Sequence, residues 1–367
     1  MPGRGQSIRQ MKEEGARIAG CFPLYPPVEL LHSLGLTPVV LWGLNEEIKT
    51  FEESDRHLQG FSCSVARRLT EFALSEEGGL LDCLVMYNAC DTLRNMPEIL
   101  ARGFEDKGRS LPIFRLHVPM APAAQTDSSA YRAARMKELV HAIETTFGVT
   151  FSAGRFRESI AIYNEMRDLA RKLEALVTGG RVSYAHFSRV IGDGYFMQVE
   201  DHVALLRDEI GKTAPAPAGA GGRGVIVSGI LPPTDALCGI IEGAGLRVAG
   251  NDVACQARSY GYSPAVTGDP VAYYADLYRN HRPCTTLLYS SDDRLRALVA
   301  LAEEREARGV VFIGEKFCEY EYLELPYVRR VLADRGIPDL QLEIGVDDAD
   351  NVEALRTRVE AFAELIR

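Results

Sequence analysis

The chain has no Cys-x-x-Cys pair, no zinc-finger spacing and no ferredoxin-type cysteine run. Local cysteine motifs therefore give no metal site, and any cluster must be assembled from thiols far apart in sequence. A phosphate loop of the form G-x-x-x-x-G-K-S/T is also missing. The Gly-rich stretch GAGGRG precedes a strand instead of following one, so it reads as linker and not as a nucleotide site. No apolar run approaches the ~20 residues of a membrane span. The start, MPGRGQSIRQMKEEGARIAG, lacks the apolar core of a signal peptide. The expected address is the cytoplasm, with no membrane partner. Basic residues are too few for a broad nucleic-acid footprint: 41 Lys and Arg stand against 51 Asp and Glu, a net charge of -10.

What is present is an ordinary soluble composition over 367 residues, more than one core comfortably fills. ARIAGCF and TPVVLWG read as buried strands around the helix PPVELLHSLG. The helix SVARRLTEFALSE, the strand LLDCLVMYN, the helix MPEILARGF and the strand PIFRLH follow. From about Ser128 to Ile210 the pattern turns helical, with Ile162, Met166, Leu169, Leu173 and Leu176 on one face. KTAPAPAGAGGRG reads as a linker. The alternation then restarts with strands GVIVSGIL, LRVAGND, TTLLYSS, GVVFIGEK and DLQLEIG between helices. Strand–helix alternation implies parallel sheets. The expected fold class is α/β: two Rossmann- or flavodoxin-like domains facing a crevice, with a helical segment between them. The boundaries are residues 1–125, 126–211 (helical), 212–223 (linker) and 224–367.

Two stretches share one plan. In LLDCLVMYNAC-DTLRNMPEILARGFEDKG and RGVVFIGEKFC-EYEYLELPYVRRVLADRG, an apolar strand is followed by a cysteine, an acidic residue and a helix. Cys90 and Cys318 thus fall just past the carboxyl ends of buried strands, where open α/β sheets place their chemistry. Thiols placed alike in two halves suggest a ligand shared between them. Of the eight cysteines, Cys83 within a strand and Cys238 within an apolar helix read as small buried hydrophobes. Cys21, Cys63, Cys90, Cys255, Cys284 and Cys318 lie at element ends or in loops, where packing residues and ligands of a metal or iron–sulfur site are both open readings.

Several longer segments carry a resemblance. GCFPLYPPVELLHSLGLTPVVLWG, NACDTLRN, SGILPPTDAL, NDVACQARSY and EKFCEYEYLELPYVRRVLADRGIPDLQLE occur in the order found in 2-hydroxyacyl-CoA dehydratases, ATP-dependent benzoyl-CoA reductases and double-cubane cluster proteins. The chain resembles that family, and in its length the D-component, relay-type subunit. The resemblance implies a 4Fe–4S cluster held by thiolates of both domains, with Cys63, Cys90 and Cys318 matching the ligand positions and one iron left without a protein sulfur. Cys21, Cys255 and Cys284 resemble the further ligands of a double-cubane 8Fe–9S cluster. The implied activity is low-potential one-electron reduction of an acyl-CoA thioester. The implied partners are a related subunit, or a second copy of this chain in the double-cubane branch, and a separate ATP-dependent iron–sulfur activator. No acid or base is assigned. Arg67, Arg94, Glu315 and Glu319 are candidates to surround the cluster, with Asp91 and Arg258 nearby, although Asp91 and Glu319 also suit helix starts. Among seven histidines, His32 in an apolar helix and His117 at a strand end included, nothing singles out a proton donor.

Overall fold

The computed structural model describes residues 4–44, 48, 50–119, 128–213, 222–287, 291–345 and 352–366. It contains two four-stranded sheets, all parallel. The first consists of β1 (Ile18–Phe22), β2 (Thr37–Val40), β3 (Cys83–Tyr87) and β4 (Ile113–Leu116). The second consists of β5 (Arg223–Gly229), β6 (Leu246–Val253), β7 (Gly309–Glu315) and β8 (Asp339–Ile344). Their spatial orders are β2-β1-β3-β4 and β6-β5-β7-β8. Each order reverses between its first and third strands, which opens a crevice at the carboxyl ends. β3 and β7 hold the same place in their sheets, so Cys90 and Cys318 leave equivalent strands.

The strands read as continuous apolar runs because helices cover both faces. All five residues of β1 and of β3 are buried, as are all seven of β7. Four helices, Ser129–Phe147, Ala153–Thr178, Tyr184–Gly194 and Val199–Lys212, occupy the middle of the chain. The predicted stripe lies on the second of these. Leu169, Leu173 and Leu176 are buried, while Ile162 and Met166 are partly so and pack on the same core. Most of the predicted linker, residues 214–221, lies outside the described residues.

One expected strand, TTLLYSS, lies partly outside the described residues and is not seen in the part that is described. In TTLLYSS, Thr285 and Thr286 form a turn, and residues 288–290 lie outside the described part. The Cys284 thiol and the Thr286 hydroxyl lie 3.3 Å apart, and the Thr286 carbonyl accepts from Tyr87, so local polar groups hold the turn that the β-branched composition disguised.

The carboxyl ends of the sheets confront each other through specific bonds. Trp42 Nε1, past β2, donates to the Ile230 carbonyl at 3.0 Å. Tyr87, ending β3, donates to the Thr286 carbonyl at 2.7 Å, and Tyr25 to the Ala254 carbonyl at 3.2 Å. No helix among the described residues is long and apolar enough to cross a membrane.

Candidate functional site

Cys63, Cys90 and Cys318 share one structural role. Each is the N-cap of a helix: Ser64–Leu74, Asp91–Asp106 and Glu319–Asp334. A helix N-terminus leaves backbone N–H groups unpaired and carries a partial positive charge, so it favours a thiolate over a thiol. The Cys90 sulfur accepts from the Leu93 N–H at 3.4 Å. The backbone N–H groups of Ala66 and Val65 act likewise on Cys63, and that of Glu321 on Cys318.

The three thiols feel one another across the lobes. Burial is the largest influence on each and pushes all three up. Cys63 goes to about 12, raised further by Glu315 and Cys90. Cys90 rises less, with Asp91 and Glu319 adding to burial against the N–H groups of Leu93 and Thr92. Cys318 is raised well above the ordinary range by burial, then by Glu321 and Cys63, with Cys90 contributing. As bare thiols all three are therefore protonated at neutral pH, and only a cationic centre would draw the protons off.

The donor set fits an iron–sulfur core. It offers three largely buried sulfurs from two lobes, with backbone N–H groups aimed at sulfur. Among the described residues, no three His, Cys, Asp or Glu side chains converge tightly enough for one metal ion. A polynuclear core is larger than an ion, and its ligands stand farther apart.

The backbone around this triad is shaped for it. Phe317 has φ 65°, the left-handed region, which costs a bulky residue about 1–3 kcal/mol and here delivers Cys318 to its N-cap. Glu315, ending β7 and buried, accepts from the Ser64 N–H at 3.1 Å and from the Ser64 hydroxyl. One carboxylate of the second lobe thereby ties down the residue next to Cys63 in the first. Glu319 is exposed at the start of its helix and acts on Cys90 across the lobes. Arg94 pairs with Asp91 on the surface beside Cys90. Arg67 is taken up elsewhere: its guanidinium donates to Asp55 at 2.7 Å and lies 4.6 Å from the Phe51 ring centre.

The other cysteines occupy different settings. Cys21 and Cys83 share a face of the first sheet, since Ala19 is the register partner of Cys83, and Cys83 is among the influences raising Cys21. Cys238 donates weakly to the Pro233 carbonyl at 3.7 Å inside its helix. Cys255 and Cys284 influence each other, and Arg258 lies 3.5 Å from the Cys284 sulfur. Burial pushes Cys284 up, but Arg258 and then the hydrogen bonds of Thr286 outweigh it and leave this thiol below its usual value.

Sequence reasoning missed a buried charge network behind the triad. Arg258, fully buried, grips Asp252 with two bonds of 2.8 and 2.7 Å. Arg294 lies 3.5 Å from Asp252 and pairs with Glu324. Ser228 donates to Asp252 at 2.8 Å. Glu321, in the helix capped by Cys318, is raised by burial against the pull of Arg294. Asp252 and Arg258 lie six apart in NDVACQARSY, which was a readable hint. Arg294 and Glu324 come from helices whose sequences look like solvated faces.

Two histidines are buried and neutral. Burial lowers both His202 and His281 to about 4. An unfolded chain takes up these protons near pH 6.5, so folded stability is complete above that value and declines as pH falls toward 4. Each ring is expected to cost about 2–3 kcal/mol at pH 4.5 relative to pH 7. Urea unfolding at the two pH values should show that loss shrinking by this amount in His202→Gln. An unchanged pH dependence would contradict it.

Comparison with known proteins agrees with this architecture. The model of the family described as 2-hydroxyglutaryl-CoA dehydratase, D-component, matches residues 23–366. The chain is 27% identical to the (R)-phenyllactyl-CoA dehydratase beta subunit of Clostridium sporogenes, over 98% of this chain and 94% of that protein. It is 26% identical to the beta subunit of the (R)-2-hydroxyglutaryl-CoA dehydratase of Acidaminococcus fermentans, over 97% and 94%. It is 23% identical to a subunit of the benzoyl-CoA reductase of Thauera aromatica, over 98% and 94%. With two like-ordered parallel sheets and a family match running almost end to end, this chain belongs to the 2-hydroxyglutaryl-CoA dehydratase D-component family.

Proposed function

We propose that this chain is the iron–sulfur subunit of a 2-hydroxyacyl-CoA dehydratase or benzoyl-CoA reductase-type enzyme, with Cys63, Cys90 and Cys318 holding a 4Fe–4S cluster. The observation that carries this reading is the placement of these three cysteines, from both lobes, at three helix N-termini within one another's field. When bound, such a cluster supplies single electrons at low potential.

The chain's own residues set the conditions. To hold iron the three thiols would release their protons to solvent, and the backbone N–H groups of Ala66, Leu93 and Glu321 would stabilise the charge left on sulfur. Asp91, Glu315, Glu319 and Glu321 surround them with negative charge. Acidic surroundings make an added electron costly, so an electron held there is strongly reducing, as reduction of an acyl-CoA thioester demands. The curated relatives are named as subunits, and in this reading the enzyme is made whole by a related partner chain. A separate cytoplasmic ATP-dependent activator drives the electron in. A second cubane on Cys21, Cys255 and Cys284, which would complete a double-cubane cluster, has less support, because Arg258 and Thr286 already engage Cys284.

Anaerobically purified and reduced protein is expected to give the EPR signal of a reduced 4Fe–4S cluster. Iron-loaded, reduced protein without that signal contradicts the proposal. A signal that an acyl-CoA thioester shifts assigns the substrate to this chain, and an unshifted one assigns it the relay.

A further inference from the structure

A cavity lies where the helical layer meets the first sheet and the segments that follow β6. Its volume is about 80 Å³, and its walls include Tyr25, Val28, Met166, Val199, Leu277 and His281. At ~10–15 Å³ for each water-sized position, it has room for about five to eight non-hydrogen atoms. Most of the wall is aliphatic or aromatic, so the occupant has an apolar body.

The polar groups reaching this space are unusual. His281 and His202 both line it, and both are more than nine-tenths buried. Nε2 of His202 has no hydrogen-bond partner, and neither ring nitrogen of His281 has one of full geometry, with the Arg282 backbone acting on that ring. Buried polar atoms are rarely left in this state, because each has lost its water without replacement. Both rings are neutral above pH 6.5, so each offers one N–H and one lone pair. Two cations also touch the cavity, and both are already committed: Arg167 to Glu29, and Arg258 to Asp252. A carboxylate or phosphate would meet no uncommitted positive charge there. The Tyr25 ring stands 5.0 Å from that of His281 at 44°, an aromatic wall that suits a flat body.

We infer that this cavity is a binding site for a compact neutral molecule with a flat apolar body and one hydroxyl group, which His281 and His202 hold by donating to and accepting from that hydroxyl. The site is separate from the proposed cluster, since none of Cys63, Cys90 and Cys318 lines it. Failure of the inference would leave the cluster reading untouched, and loss of the cluster would leave this site in place.

Phenol has the required size and chemistry, and benzene is its counterpart without the hydroxyl. Isothermal titration of the full chain at pH 7.5 is expected to show phenol binding. His281→Leu and His202→Leu are each expected to weaken phenol about tenfold, the loss of one hydrogen bond, while benzene binds wild type and variants alike. Circular dichroism identifies a variant that fails to fold, and the other variant then serves. No binding of phenol by the wild-type chain would overturn the inference and leave a cavity filled with water. Equal phenol affinity in wild type and a folded variant would overturn the assignment to the histidines.

Discussion

Cys90→Ser and Cys318→Ser are each expected to lose nearly all bound iron, from about four atoms per chain to less than about one. Serine is almost the same size, so packing changes little. What changes is the donor: a serine hydroxyl stays protonated at neutral pH and binds iron far less well than thiolate. The position makes the test clean. Both residues are helix N-caps, and serine caps better than cysteine, so neither helix should be weakened. Iron loss with unchanged circular dichroism would therefore report lost ligation. Cys83→Ser and Cys238→Ser are the controls. Cys83 lies within β3 and Cys238 within the helix Asp235–Gly243, both buried, and each should keep its iron. Equal iron in Cys90→Ser and wild type would remove Cys90 from the ligand set.

The second large effect concerns stability. Asp252→Asn is expected to destabilise the fold by about 3–5 kcal/mol. Asp252 neutralises Arg258, which is fully buried, and also faces Arg294, itself buried. Two positive charges nearby and burial act against each other on this carboxyl. Burial pushes it up, but Arg258 and Arg294 hold it below the ordinary carboxylate range, so it is ionised at neutral pH. Asparagine keeps the shape and removes the charge, which strands buried guanidinium groups. Urea unfolding of metal-free protein measures the effect without contribution from bound iron. The double variant Asp252→Leu with Arg258→Met should recover much of the loss, because apolar replacement of a buried pair is often neutral. A single variant as stable as wild type would show that the network contributes little.

Much of this was legible in the sequence because the signals were local. Strands buried on both faces read as unbroken apolar runs, and each short run in the first lobe is a strand. The cysteine after β3 and the cysteine after β7 could be aligned by the plan around them, and the common strand order of the sheets gives that alignment its physical basis. Cys63 was harder, since FSCSVARR shows only that a thiol precedes a helix. For Arg67, a spacing of one turn from Cys63 says nothing about side-chain direction, which Asp55 and Phe51 decide. In TTLLYSS only the start is described, and there the Cys284 thiol and the Thr286 hydroxyl and carbonyl engage in local and cross-lobe bonds that composition does not show. Of the buried network only the Asp252 and Arg258 pair was hinted at in the sequence, and the histidine cavity was not legible. Arg294, Glu324, His202 and His281 come from separate helices or their ends, and only their packing shows that they leave solvent.

The most direct test is the content of iron and acid-labile sulfide in the unmodified chain, purified under strict exclusion of oxygen. Sulfurs of both lobes gathered around one core predict about four irons and about four sulfides per chain. A chain that folds with neither, even after reconstitution with iron and sulfide, would contradict the account.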